Sequence, residues 1–594
     1  MAIKWILLAS CLLGRAFGAE IGSQYRSDFL LSNESYPEPF NQTTEGGRIH
    51  YTIHSRYTIK PEFPLIIWLT VNGFESIFTL ESGRKLPKEL NWMHCDISES
   101  QIFWISMHTS SDAAAKSITH IKVKDQKSLF FVDTDLPPLV KDYPVRVTYV
   151  TTTNAYSKLV VHVHNYSDQP KIVQDVIVDG ESTNTIFYLA AGQHRVLTFP
   201  TEQAVGGVWT VNLKTTDGVL VGNGGRIIRE HFPIIGWQHS KDCPFPETNM
   251  ENFEILTERF LVDDFMFFKG YFCDVYASSI LDNALSYNYS LLVNQSLYPD
   301  NDPNFKTDST AAIYCGETEE SVEGTLTAWN HAIQQRVNNP SLPTYQTGQT
   351  YTFAGAFSGI TDIQGKYFFV AGCGPHVTTL QSAMRIQGAY DYLKNTRDNQ
   401  MPLPTWSYSQ FRYNVTIQPN ANEVMVQLAS VVAAGAKGLM LFKVDPQVAD
   451  PDWQATVVST LKPIKTLSED FRVGDIEGAT FSKDDDPMKS TVAIVRSLDK
   501  LIVVVINTNA DGYNDVLCYS NLETHWQFKP HTIQTLEITL PLELVNANTL
   551  LEVTEQGIVQ PIGVKASFVN GQAILQRIAL GVGPTVVRFF VIQD

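Results

Sequence analysis

A chain of 594 residues is too long for one hydrophobic core and predicts three or four domains. With 44% hydrophobic and 18% charged residues and no low-complexity tract, its composition is that of ordinary globular domains. A formal charge of −18, with no basic stripe, argues against nucleic acid as a partner.

Residues 1–18 place Lys4 before an apolar run from Trp5 to Leu13, followed by the small residues Ala16 and Gly18. This is the pattern of a secretory signal peptide, and the run is too short to span a bilayer. No later run is long enough either, so a soluble, secreted mature protein with no integral membrane segment is expected. Six cysteines remain once Cys11 leaves with the signal: Cys95, Cys243, Cys273, Cys315, Cys373 and Cys518. Cys243 and Cys273 follow the first two strands of the central unit and form the first expected disulfide; for Cys315 and Cys373 a bridge and two free buried thiols are equal readings. Six Asn-x-Ser/Thr sequons, at Asn33, Asn41, Asn165, Asn288, Asn294 and Asn414, agree with a glycosylating secretory route.

Residues 19–135 read as a β-sandwich. Its strand-like runs are Leu65 to Val71, Ser76 to Leu80, Gln101 to Ser106 and Lys127 to Val132, with turn residues such as Asn72-Gly73 between the first of them. Trp68 and Trp104 lie inside such runs and read as core. Residues 136–231 show cleaner alternation and read as an immunoglobulin-like sandwich, with hairpin turns at Asp179-Gly180 and Asp217-Gly218. His162 and His164 alternate with apolar residues there; with no third ligand in sequence reach they read as exposed histidines on a strand face. The chain has no Cys-x-x-Cys or His-x-x-x-His spacing, so neither a metal site nor a cofactor is expected.

Residues 232–472 organise the molecule. Eight short apolar runs alternate with helical patterns: Phe232 to Trp237, Asp264 to Phe268, Tyr289 to Val293, Ala311 to Cys315, Pro343 to Gln346, Lys366 to Val370, Pro404 to Tyr408 and Gly438 to Phe442. Near-continuous hydrophobicity suits strands covered on both faces, and the order predicts a (β/α)8 barrel. The third run reads equally as a loop with a small helix. Helices are expected over Glu251 to Leu261, Val322 to Val337, Thr379 to Asn395, Glu423 to Ala434 and Trp453 to Leu467. Residues 473–594, with strands such as Thr491 to Val495 and Leu501 to Ile506, read as a C-terminal antiparallel sandwich.

In such barrels function gathers where the C-terminal ends of the strands converge. The segment Tyr314-Cys-Gly-Glu-Thr-Glu-Glu320 resembles, with the register moved by one residue, the fourth-strand segment of the barrel glycoside hydrolase superfamily; without that shift Thr318 falls in the catalytic slot. The run Val431 to Phe442 resembles the last helix and strand of many of these barrels. The resemblance covers the barrel, and the flanking sandwiches only by architecture. It implies hydrolysis of O-glycosidic bonds in an oligo- or polysaccharide, with Glu317 as general acid/base. It also implies a nucleophilic glutamate at the end of the seventh strand, where this chain has only the amide of Gln410. Asp445, after the eighth strand, and Asp362, before the sixth, are the carboxylates left as partners; a separation of roughly 5–5.5 Å from Glu317 would mark a retaining mechanism and a wider one inversion. Trp237, Lys269, Gln346, Tyr408 and Gln410 are the expected carbohydrate-binding residues. The alternative is a catalytically inactive barrel serving as an extracellular carbohydrate-binding or structural surface protein.

Overall fold

The computed structural model describes residues 21–27, 47–54, 65–79, 86–97, 102–124, 132–237, 257–267, 290–294, 310–318, 322–338, 342–348, 358–368, 386–411, 419–442, 450–477, 481–483, 489–511, 526–569, 572–583 and 587–593. Eight central strands are β1 (Ile234–Trp237), β2 (Asp264–Phe267), β3 (Ser290–Asn294), β4 (Thr310–Thr318), β5 (Thr344–Gly348), β6 (Ile363–Phe368), β7 (Thr405–Gln410) and β8 (Gly438–Phe442). Each pairs in parallel with the next, and β8 pairs with β1, which closes the ring. The third run is therefore a strand.

Side chains alternate between the two faces of each strand, so a strand apolar at every position serves two cores. Inside the ring, Ile235, Ala312, Tyr345, Ile363, Trp406, Tyr408 and Met440 pack as one cluster. Ile234, Leu439 and Leu441 face the other way, into the helix layer. The interior is filled tightly enough to dictate a glycine: a Cβ on Gly365 would lie 1.9 Å from the Tyr345 hydroxyl oxygen.

The helices include α1 (Val322–Asn338) after β4, α2 (Ala389–Gln400) before β7, α3 (Ala421–Ala433) between β7 and β8, and α4 (Pro451–Thr466) after β8. Helix α3 opens with a capping box in which the Asn420 side chain accepts from the Glu423 N–H at 2.9 Å and Glu423 accepts from the Asn420 N–H at 2.7 Å. Its residues from Glu423 to Ala433 are all buried, because the helix lies between the ring and the C-terminal sandwich and shares a core with Val495, Ile502, Val504 and Phe589. That explains an apolar character all round the helix rather than on one stripe. Gly435, with a positive φ of 81°, then turns the chain toward β8.

The flanking units are antiparallel. The first has one sheet of Ile21–Ser27, Gly47–His54, Ile102–Thr109 and Leu90–Ile97, and a second of Phe74–Thr79, Ile66–Val71, Ile118–Lys124 and Val132–Asp135, each in that order. The expected strand from Lys127 falls, up to Phe131, outside the described residues. The next unit packs the three-stranded sheet of Val145–Thr152, Lys158–Asn165 and His194–Pro200 against one built on Lys171–Val178, Val208–Thr215 and Leu220–Arg226. The last stacks a six-stranded sheet, with Lys500–Asn507 and Val587–Gln593 at its centre, on a four-stranded one. Trp104 is core, fully buried with Val208 of the second unit and Leu403 of the barrel. Trp68 is half-buried, with the Lys124 ammonium over its ring. Among the described residues no helix is long and apolar enough to cross a membrane.

One expectation is corrected here, and one pair of equal readings is decided. Of the two readings for Cys315, the free, buried thiol is the one found. It packs beside Trp329, Ala332 and Ile333 of α1 in the core of the first sandwich, and burial pushes its thiol up to about 12, which leaves it protonated and inert. Cys95 is likewise free and buried; Cys243, Cys273, Cys373 and Cys518 lie outside the described residues. Asn165 is no glycan acceptor surface, since it is fully buried. Its amide donates to the carbonyls of Gln169 (2.8 Å) and Ala190 (3.0 Å), and its oxygen accepts from Ser167. Glycopeptide mass spectrometry of the purified protein is expected to find Asn165 unmodified.

Candidate active site

The C-terminal ends of the strands define the mouth. On β4 the register with β5 is regular to Tyr314, opposite Tyr345, and resumes at Glu317, opposite Thr347, so Cys315 and Gly316 form a bulge just before the acid. Bulges of this kind re-aim a strand at the rim of a barrel. From Glu317 the row of backbone partners runs through Thr347 and Gly365 to Trp406. Strands tilt in a closed eight-stranded ring, and a row drops by about one residue per strand relative to the barrel axis. The level of Glu317 on β7 is therefore about three residues beyond Trp406, at Ser409 and Gln410. The acid of the fourth strand and the amide of the seventh thus stand at one height on well-separated staves of the ring.

Gln410 is buried, on the same strand face as the interior residue Tyr408, and its main-chain N–H donates to the Gln427 side chain of α3 at 2.9 Å, which pins the end of β7. Its register partner Phe442 is also the partner of Trp237, so the backbones of β1, β8 and β7 bring these three positions into one row. For Glu317 and Trp237 the described structure is that of the backbone. Tyr408 is fully buried among Trp406, Tyr345 and Met440, where it fills the interior beneath the mouth.

Two expected site residues lie elsewhere. Gln346 follows the interior residue Tyr345 and so projects from the outer face of β5, away from the mouth. Asp362 precedes β6 and therefore sits on the N-terminal rim, at the opposite end of the ring from Glu317. There it is 1% exposed and accepts from the Thr344 N–H and hydroxyl at 2.8 Å each and from Arg336 at 3.2 Å. Arg336 also reaches Asp96 of the first sandwich at 3.2 Å, and Arg226 of the second reaches Asp96 at 2.8 Å. Two carboxylates and two guanidinium groups, all buried, thus knit three units together. Asp362 is a structural ion of the barrel floor. Lys269 and Asp445 lie outside the described residues.

A second polar locus was missed by the sequence reading. His162 and His164 are buried, not exposed: the strand face opposite their own core is covered by the segment leading into the C-terminal sandwich. His162 Nδ1 lies 2.9 Å from His194 Nε2, His162 Nε2 lies 2.7 Å from the Val473 carbonyl oxygen, and His194 Nδ1 lies 3.2 Å from a Glu477 carboxylate oxygen. Asp475 completes the group and is paired with Arg397 of α2. Burial lowers His194 to about 3 and His164 to about 4, and raises Glu477 to about 7. Lys437, which donates to the carbonyls of Phe471 and Gly474, is lowered by burial to about 7. For Asp475 burial pulls upward, but Arg397, with His162 and Lys437, holds the carboxyl well below its ordinary range.

No family model matches the sequence, and no curated protein matches it. Among solved structures, the chain is similar to a Paenibacillus cycloisomaltooligosaccharide glucanotransferase complexed with cycloisomaltoheptaose (TM-score 0.39, 8% identity, 75% of this chain and 99% of that one). It is also similar to a family 5 glycoside hydrolase from Bacteroides vulgatus (0.41, 11%, 64% and 91%) and a family 39 glycoside hydrolase from Bacteroides cellulosilyticus (0.33, 10%, 76% and 98%). At these scores the likeness bears on neither substrate nor residue roles.

Proposed function

We propose that this is a secreted, N-glycosylated, glycoside-hydrolase-like protein that hydrolyses O-glycosidic bonds of an oligo- or polysaccharide at the barrel mouth. Glu317 acts as general acid/base, and Asp445, shortly after β8, supplies the second carboxylate. The observation that carries this reading is the height of Glu317. It stands past a bulge at the C-terminal end of β4, level with Gln410, in a ring whose interior is plugged below by Tyr345, Trp406, Tyr408 and Met440. A plugged ring offers substrate one open end.

Gln410 favours a second reading. An amide at the level of the acid can hold a sugar hydroxyl but cannot form a glycosyl intermediate, which suits an extracellular barrel that binds carbohydrate without cleaving it. The test is incubation of the intact purified protein with a panel of oligo- and polysaccharides, with reducing-end release and array binding measured in parallel. Release of sugar is the expected result. Saturable binding without product over long incubation would establish the second reading, and neither binding nor release would overturn both.

A further inference from the structure

His162, on strand Lys158–Asn165, and His194, on the neighbouring strand His194–Pro200, point ring nitrogens at each other across 2.9 Å. The outer nitrogen of His162 already faces an acceptor. A backbone carbonyl can only accept, so His162 Nε2, at 2.7 Å from Val473, carries a proton. The outer nitrogen of His194, Nδ1, is buried 3.2 Å from a Glu477 carboxyl oxygen and makes no hydrogen bond to it. His162 Nδ1 therefore turns its lone pair toward His194 Nε2, and with the His194 proton on Nδ1 the two inner nitrogens are placed to share one cation. Asp475 brings a carboxylate oxygen to the same spot: one donor atom from each of the three residues lies within 4.8 Å of the other two.

We propose that His162, His194 and Asp475 form a binding site for one divalent transition metal ion of the zinc or cobalt type, seated where the second sandwich meets the strand entering the C-terminal sandwich. Metal–nitrogen bonds of about 2.0–2.1 Å place two ligand atoms of one ion roughly 2.9–3.4 Å apart, which the facing nitrogens satisfy. The surroundings are those of a ligand set. The His162 imidazole gives its other N–H to the Val473 carbonyl, which fixes its tautomer and ring plane. His164 stacks on His194 with centroids 5.7 Å apart and planes 11° from parallel, and Arg397 orients the carboxylate from outside. All three residues are at most 1% exposed, so the ion ties two units together rather than meeting substrate. Arg397 and Lys437 add positive charge nearby and weaken the site relative to one built from thiolates.

The test uses the intact protein, stripped with a chelator and titrated first with Co2+ and then with Zn2+. Uptake of about one equivalent of Co2+ with a visible ligand-field band, bleached by Zn2+, is expected. His162→Gln and His194→Gln are expected to abolish the band, while His164→Gln, as buried and on the same strand as His162, keeps it. X-ray absorption on the cobalt form of the unmodified protein gives a readout independent of how well any variant folds, and two imidazole nitrogens with at least one oxygen are expected. Failure of the stripped protein to take up either ion would overturn the proposal in favour of a proton shared between the rings. A band that survives both His162→Gln and His194→Gln would overturn it by placing the ion elsewhere.

Discussion

Glu317→Gln is expected to slow hydrolysis of any glycan the protein cleaves by about a thousandfold in kcat, within the 10²–10⁴ range of general acid/base catalysis, with little change in KM. The amide keeps the size and hydrogen-bonding reach of the side chain but has no proton to give a departing alkoxide. The deficit is expected to shrink on aryl glycosides, whose leaving groups need little protonation. This dependence separates a proton donor from a residue that merely shapes the mouth, for which all substrates would suffer alike. Undiminished turnover in the variant would remove Glu317 from the mechanism.

Asp362→Asn is expected to do the reverse: cost about 3–5 kcal/mol of stability while leaving turnover per folded molecule unchanged. The wild-type cluster balances Asp96 and Asp362 against Arg226 and Arg336, all at most 6% exposed. Removing one negative charge leaves two guanidinium groups sharing a single carboxylate in a place water does not reach. Arg336 loses the most, since it spans Asp96 and Asp362 and, among the described residues, has only the Ile360 carbonyl as a further acceptor. A drop in the thermal midpoint with unchanged activity below it is the expected measurement. A variant that unfolds like the parent but no longer cleaves would return Asp362 to the list of reacting groups.

The strands were legible because a run such as Gly438 to Phe442 is apolar at consecutive positions, which only an element buried on both faces requires. What the runs did not reveal was where each strand ends. Reading β5 as stopping at Gln346 made that residue look like a rim position, whereas the strand continues to Gly348 and alternation turns Gln346 outward. Reading β6 from Lys366 left Asp362 in an undefined loop, whereas the strand begins at Ile363 and places the acid on the floor. The histidines misled for another reason. Alternation showed that His162 and His164 do not face their own domain's core, which is not the same as facing water. Their cover and their partner Asp475 come from some 300 residues further along, a separation no local pattern encodes.

The flanking units are commonly imagined as interchangeable attachments to a catalytic cylinder, and this chain resists that picture. Helix α1 lends Trp329, Ala332 and Ile333 to the interior of the first sandwich, and the Trp329 indole N–H donates to the Met93 carbonyl there at 3.1 Å. A gene fragment confined to the cylinder would strand these groups in solvent and take Asp96 away from Arg336. Shuffling of such modules between genes is thereby disfavoured, and the smallest inheritable unit of this architecture is the cylinder together with the sandwiches that grip it.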